Sequence, residues 1–164
     1  MVSMSPEDQR IVLEFFCAFA RFEYALKRST KFLTGGKERR RAEPDWKTFA
    51  REIGAAYPSL DGEDFKQARA YILGKPPKVQ IVVNNELDWD PSVRRADQTE
   101  ISVLLECVKT MRNNLFHGGK FPGLLVDGSE RDPQLLVSGA VVLRSVATLD
   151  EKVRAGFDLN PETH

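Results

Sequence analysis

Residues 5–33 read SPEDQRIVLEFFCAFARFEYALKRSTKFL, and this stretch points the chain toward a helical fold. Ser5 can cap a helix, Pro6 suits the first helical position, and Glu7 and Asp8 favour the positive end of the helix dipole. Ile11, Phe15, Ala18, Phe19, Phe22, Leu26 and Leu33 then recur at helical spacing and make one apolar face. Gly35-Gly36 is the stop signal. The pattern covers nearly thirty residues, roughly 40 Å at about 1.5 Å per residue.

Outward from this helix the chain keeps the same period. Lys37-Glu38-Arg39-Arg40-Arg41 reads as a loop. Two shorter helices are expected near Pro44–Tyr57 (Trp46, Phe49, Ile53) and Asp61–Leu73 (Phe65, Ala68, Ile72), the second capped by Asp61. Gly74–Arg95 breaks the pattern with Pro76-Pro77, the β-type run Val79-Gln-Ile-Val-Val83, Asn84-Asn85 and Asp90-Pro91. It reads as an irregular crossover with a short extended piece, too isolated to build a sheet, and an interface arm is one use for it. A fourth helix opens at Asp97 with Glu100 three residues on, in the manner of a capping box. Its stripe is Ile101, Leu104, Leu105, Val108, Met111 and Leu115, and Gly118-Gly119 ends it. After the polar loop Asp127–Asp132, a fifth helix runs from Asp132-Pro133 through Leu135, Val142, Leu143, Val146, Leu149, Val153 and Phe157. Five helices with no convincing sheet give an all-α, up-and-down bundle with an irregular crossover before the fourth helix.

Composition narrows the rest. A chain of 164 residues is most simply one domain over residues 1–164, and a 41% apolar content can fill a core. Lys plus Arg and Asp plus Glu balance at 24 each, so net charge selects no partner and local clusters must be read instead. No signal peptide and no membrane-spanning run are expected, which makes the cytoplasm the default location. Cys17 and Cys107 each fall inside an apolar helical pattern and read as two buried, reduced thiols. No clustering of His, Cys, Asp and Glu in the sequence suggests a metal, and no cofactor is expected.

The chemistry-bearing residues gather at the end of the fourth helix, in Arg112-Asn113-Asn114-Leu115-Phe116-His117. At about 100° per residue, Arg112 falls inside the apolar stripe, between Leu105 and Val108 on one turn and Leu115 on the next. Asn113 and His117, four residues apart, share a different face with Glu106. His117 is one of two histidines, the other being the terminal His164. Taken singly, Arg112 reads as a structural arginine passing the core edge, and His117 as a helix-end histidine favoured by the dipole.

Taken together, the run Val108-Lys-Thr-Met-Arg112-Asn113-Asn114-Leu115-Phe116-His117-Gly118-Gly119-Lys120 resembles the signature of the HEPN superfamily: an Arg, a polar residue such as Asn, and a His after four to six residues, at the end of a long helix late in a helical bundle. The motif covers about a dozen residues. The order of helices follows the family loosely over most of the chain. The resemblance implies a metal-independent endoribonuclease, frequently a toxin or defence effector with a cognate antitoxin or other protein partner. It also implies a homodimer in which two copies of the motif face one cleft. His117 would then be the acid/base residue, Arg112 the phosphate and transition-state binder, and Asn113 the residue that orients one of them.

Further residues follow from position. Glu23 flanks the apolar face of the first helix and is placed to pair with Arg112. Between Arg21 and Arg41 the chain has eight basic residues against two acids, and Arg39, Arg40 and Arg41 are candidates to track an RNA backbone. Lys120, just beyond His117, is another. Some HEPN toxins carry a Tyr two residues after the His that a partner enzyme modifies; Gly119 stands there in this chain, a departure that puts this mode of control in doubt. The alternatives are a catalytically inactive HEPN module that binds RNA, nucleotide or protein, and a helical scaffold with no active site.

Overall fold

The computed structural model describes residues 5–35, 37, 39–91, 96–117 and 133–159. These residues form six α-helices, one 3-10 turn and two two-stranded antiparallel sheets. The helical class stands, while the sheets depart from the all-α expectation.

Helix α1 spans Pro6–Arg28, and Ser5 caps it by accepting from the Asp8 amide. Its end comes five residues before Leu33, the expected last apolar residue. The cause is Ser29, whose hydroxyl donates to the Leu26 carbonyl (2.6 Å) and accepts from the Phe32 amide (3.3 Å). A serine that bonds its own backbone in this way offers the chain an exit from the helix. Thr30 then turns at φ 60°. Leu33 and Thr34 form strand β1, paired with strand β2 (Glu43–Pro44), so the basic loop joins the two arms of a hairpin.

Helix α2 is Trp46–Glu52, shorter than the expected Pro44–Tyr57. Asp45 caps it through the Thr48 amide (2.9 Å), a bond that also holds the Asp45 carboxyl below its ordinary range. A turn and the 3-10 segment Tyr57–Ser59 follow, then helix α3 at Glu63–Gly74. Gly62, not Asp61, holds the capping position of α3.

The segment read as a crossover too isolated for a sheet is a β-hairpin. Strand β3 (Lys78–Val83) pairs with strand β4 (Glu86–Pro91), in register from Lys78 opposite Pro91 to Val83 opposite Glu86. Asn84 and Asn85 close it at φ 52° and 63°. Two consecutive left-handed residues match the right-handed twist of the strands they join, and Asn tolerates that region better than most.

Helix α4 covers Glu100–His117. Its first turn is met by Thr99, whose hydroxyl accepts from the Ser102 amide, so the expected start at Asp97 moves inward. The single final helix is two, α5 (Pro133–Ala147) and α6 (Glu151–Asp158). Asp150 makes the break by accepting from the amides of Lys152 and Val153, starting a new helix where the apolar period ran on. Gly36, Gly118, Gly119 and the Asp127–Asp132 loop lie outside the described residues.

The core gathers around α1. Phe15, Phe22 and Leu26 are fully buried there and meet Leu104 and Val108 of α4 and Val142, Leu143 and Val146 of α5 in one apolar cluster. Gly139 lets α5 approach closely: a Cβ there would lie 2.9 Å from both Met111 Sδ and the Phe15 ring. Arg21 clamps α6 to α1 by donating from Nε and Nη2 to the Phe157 carbonyl (3.0 and 2.6 Å), with its guanidinium 4.9 Å from the Phe157 ring centre. Cys107 is buried as expected; Cys17 is exposed, because it lies two residues from Phe15 and therefore on the far side of α1.

Two outcomes test this packing. Gly139→Ala should lose about 1–3 kcal/mol of stability, the ordinary cost of overpacking, measured by urea unfolding. An unchanged midpoint would mean that α5 is not seated so closely. Burial, and to a lesser degree the charge of Glu106, raise the Cys107 thiol to about 11. Its thiolate is therefore scarce at pH 8. Native protein should take up one maleimide, at Cys17, and a second only on unfolding.

Candidate functional site

The two ends of α4 are held differently. At its start, Glu100 accepts from the Tyr57 hydroxyl (2.7 Å) and from Nε and Nη2 of Arg69, the latter at 3.0 Å. This two-pronged contact joins α4 to α3 and the 3-10 turn. Burial, reinforced by the carboxylate of Glu100, raises the Tyr57 phenol above its ordinary range. Tyr57 therefore stays a proton donor to Glu100 well into the alkaline range. Spacing alone had given Glu100 a local capping role; its partners here come from elsewhere in the chain.

At the other end stand the residues with chemistry. Arg112 is half-buried. Its guanidinium carbon lies 4.6 Å from the ring centre of Phe116 and 5.8 Å from that of Phe19, and Nη1 donates to the Asn113 side-chain oxygen (3.1 Å). Phe116 is fixed in turn by Phe16, ring centres 4.7 Å apart and planes at 69°. The cation is thus held between aromatic faces, which attract it through their quadrupoles without neutralising its charge.

Glu23 does not fill the role expected of it. It is half-buried on α1, one turn beyond Phe19, and among the described residues no ion pair joins it to Arg112. Phe19 and Phe116 occupy the positions around the guanidinium that the acid was expected to take. In the sequence Phe19 reads as core, and Phe16 stands outside the apolar face that the spacing marks, so neither points to Arg112. One signal was available: Phe116 follows Arg112 by four residues, the spacing at which helical side chains touch.

Asn114, also in the motif, turns the other way. Its side-chain amide donates to the Lys78 carbonyl (2.9 Å), tying the base of the β3–β4 hairpin to the end of α4. The backbone of α4 reaches His117. The His117 side chain, Lys120 and His164 lie outside the described residues.

The basic segment divides. Arg21 is engaged with Phe157, and Lys31 pairs with Glu52 (2.9 Å). Lys37, Arg39, Arg40 and Arg41 are exposed on the β1–β2 loop. This hairpin leads directly into Trp46, whose ring packs on Phe19 (5.4 Å) and Phe22 (5.0 Å). Phe19 therefore carries Arg112 on one side and the start of α2 on another.

Among the described residues no three His, Cys, Asp or Glu side chains converge as a metal ion would require, and no helix is long and apolar enough to cross a membrane. No protein-family model, curated protein or solved structure matches this chain.

The tie from Asn114 to the hairpin can be checked directly. Asn114→Ala removes the donor to a part-buried carbonyl and should cost about 1 kcal/mol. Hydrogen exchange should quicken over residues 78–91 and remain unchanged in α1. Equal protection in both proteins would show that the hairpin is held by other contacts.

Proposed function

We propose that this chain is a metal-independent endoribonuclease of the HEPN kind, working as a homodimer. The observation that supports this reading best is the state of Arg112. A guanidinium at the end of α4 is positioned by Phe19, Phe116 and Asn113, with no acid paired to it among the described residues. Among the described residues its charge and most of its donors remain for an incoming anion, and a phosphodiester is the anion that the fork of a guanidinium suits. His117 follows five residues later, about 7.5 Å along the helix axis.

The reaction needs two proton transfers. The 2′-hydroxyl of RNA attacks the adjacent phosphorus, forming a P–O2′ bond as the P–O5′ bond breaks. His117 takes the proton from the 2′-hydroxyl, and the partner's His117 supplies one to the departing 5′-oxygen. Imidazole titrates near neutrality and serves either step. Arg112 stabilises the charge that grows on the non-bridging oxygens, and Asn113 keeps its guanidinium oriented. The products are a 2′,3′-cyclic phosphate and a 5′-hydroxyl. Arg39, Arg40 and Arg41 extend the cationic surface toward flanking phosphates, with Lys120 in the same role beside His117.

The test is cleavage of single-stranded RNA in EDTA by wild type, His117→Ala and Arg112→Ala. Each variant should lose on the order of 10²–10⁴-fold in rate while keeping its melting temperature. Equal cleavage by all three would mean a contaminating nuclease and end the proposal. RNA binding without cleavage by the wild type would identify a silent module instead. A strictly monomeric mass at micromolar concentration would remove the second His117.

A further inference from the structure

Beyond the motif's polar residues, one side chain at this end of α4 offers more than its hold on Arg112. Phe116 is 58% exposed, the most exposed aromatic ring among the described residues. A Phe left in water is common enough by itself. This one differs in being held: Phe16 meets it at a steep angle at 4.7 Å, and the Arg112 guanidinium lies 4.6 Å from its centre. The ring is fixed in orientation, open to solvent over more than half its surface, and adjacent to a cation that no acid among the described residues pairs with. Leu13, Val82 and Leu87 are more exposed but aliphatic, and Tyr24, 50% exposed, meets Arg28 through its hydroxyl rather than its ring face.

We infer that Phe116 is a stacking platform for an unpaired nucleobase whose own phosphate, or its neighbour's, is held by Arg112. This rests on the reading of the site as one for RNA. Charge and ring complement the two halves of a nucleotide: the phosphate needs a cation with open donors, and the base offers a flat π-face. The separation of 4.6 Å between ring centre and guanidinium carbon is within the span of one nucleotide. Every base has such a face, so the contact is tolerant of sequence, and a base stacked inside a duplex cannot offer it. The site therefore selects single-stranded segments, loops and ends over paired RNA. Phe16 is the positioning residue for the platform, since it sets the angle of the Phe116 ring.

A short 2′-deoxy oligonucleotide with one 2-aminopurine separates this inference from the nuclease reading, because it can bind and stack but cannot be cut. Wild type should quench the 2-aminopurine and bind the single strand at least tenfold tighter than the same sequence in a duplex. Phe116→Leu should lose the quench and about tenfold in affinity, with its melting temperature unchanged, while Phe116→Tyr and Phe116→Trp should keep both. Phe116→Leu binding and quenching like wild type would overturn the platform, as would a wild type that does not bind the oligonucleotide. If Phe116→Leu changed the mass from dimer to monomer and left the quench intact, the ring would belong to the contact between copies and the inference would fall. Quenching by a wild type that never cuts RNA would sink the nuclease reading and leave the platform standing.

Discussion

The aromatic face of α1 sets where three of the later helices, α2, α4 and α5, cross it. Phe15 lies under Gly139 of α5, Phe16 meets Phe116 of α4, Phe19 and Phe22 receive Trp46, and Phe22 also meets Phe49. Four rings within eight residues bring three later helices to one surface. Large rings contribute more buried area per residue than aliphatic side chains, and they prefer tilted and edge contacts over loose packing. The crossing points of the helices are therefore set by ring geometry. The site inherits this: Arg112 stands where it does because Phe16 and Phe19 are there to receive the end of α4.

Much of the helical frame was legible in the sequence because a 3.6-residue period survives wherever one face is buried. The apolar stripe of α4 is buried from Ile101 through Met111, in the phase the spacing implies. What was not legible is instructive. Ser29 ends α1 by bonding its own backbone, and Asp150 splits the last helix, in both cases through one side chain that the apolar period does not register. The β3–β4 hairpin was discounted for being isolated, although Asn84-Asn85 between two extended runs is itself a reversal signal. Cys17 has buried neighbours, but its own angle on the wheel turns it to solvent.

At the site, the sequence reading assumed that a cation near a core needs an acid, and so nominated Glu23. The structure meets the same need with rings and an amide oxygen. The distinction matters for chemistry. A carboxylate partner would cancel the charge and occupy donors, whereas aromatic faces leave both in place. Opposite ends of α4 show the two solutions side by side: Arg69 is matched to Glu100 where the helix must be tied down, and Arg112, where the helix ends, meets rings and an amide oxygen among the described residues.

Gly156 of α6 lies against α1 so closely that a Cβ there would sit 3.1 Å from the Cα of Ala25 and 3.2 Å from its Cβ. The obstruction includes backbone, which cannot rotate aside as a side chain can. As the sequence diverges, a larger residue at 156 is accessible only if α6 shifts away from α1. That shift would pull the Phe157 carbonyl from Arg21, whose two bonds fix it from the other helix. Positions 21, 25, 156 and 157 therefore form one inherited unit, and substitutions among them should be found in combination rather than singly.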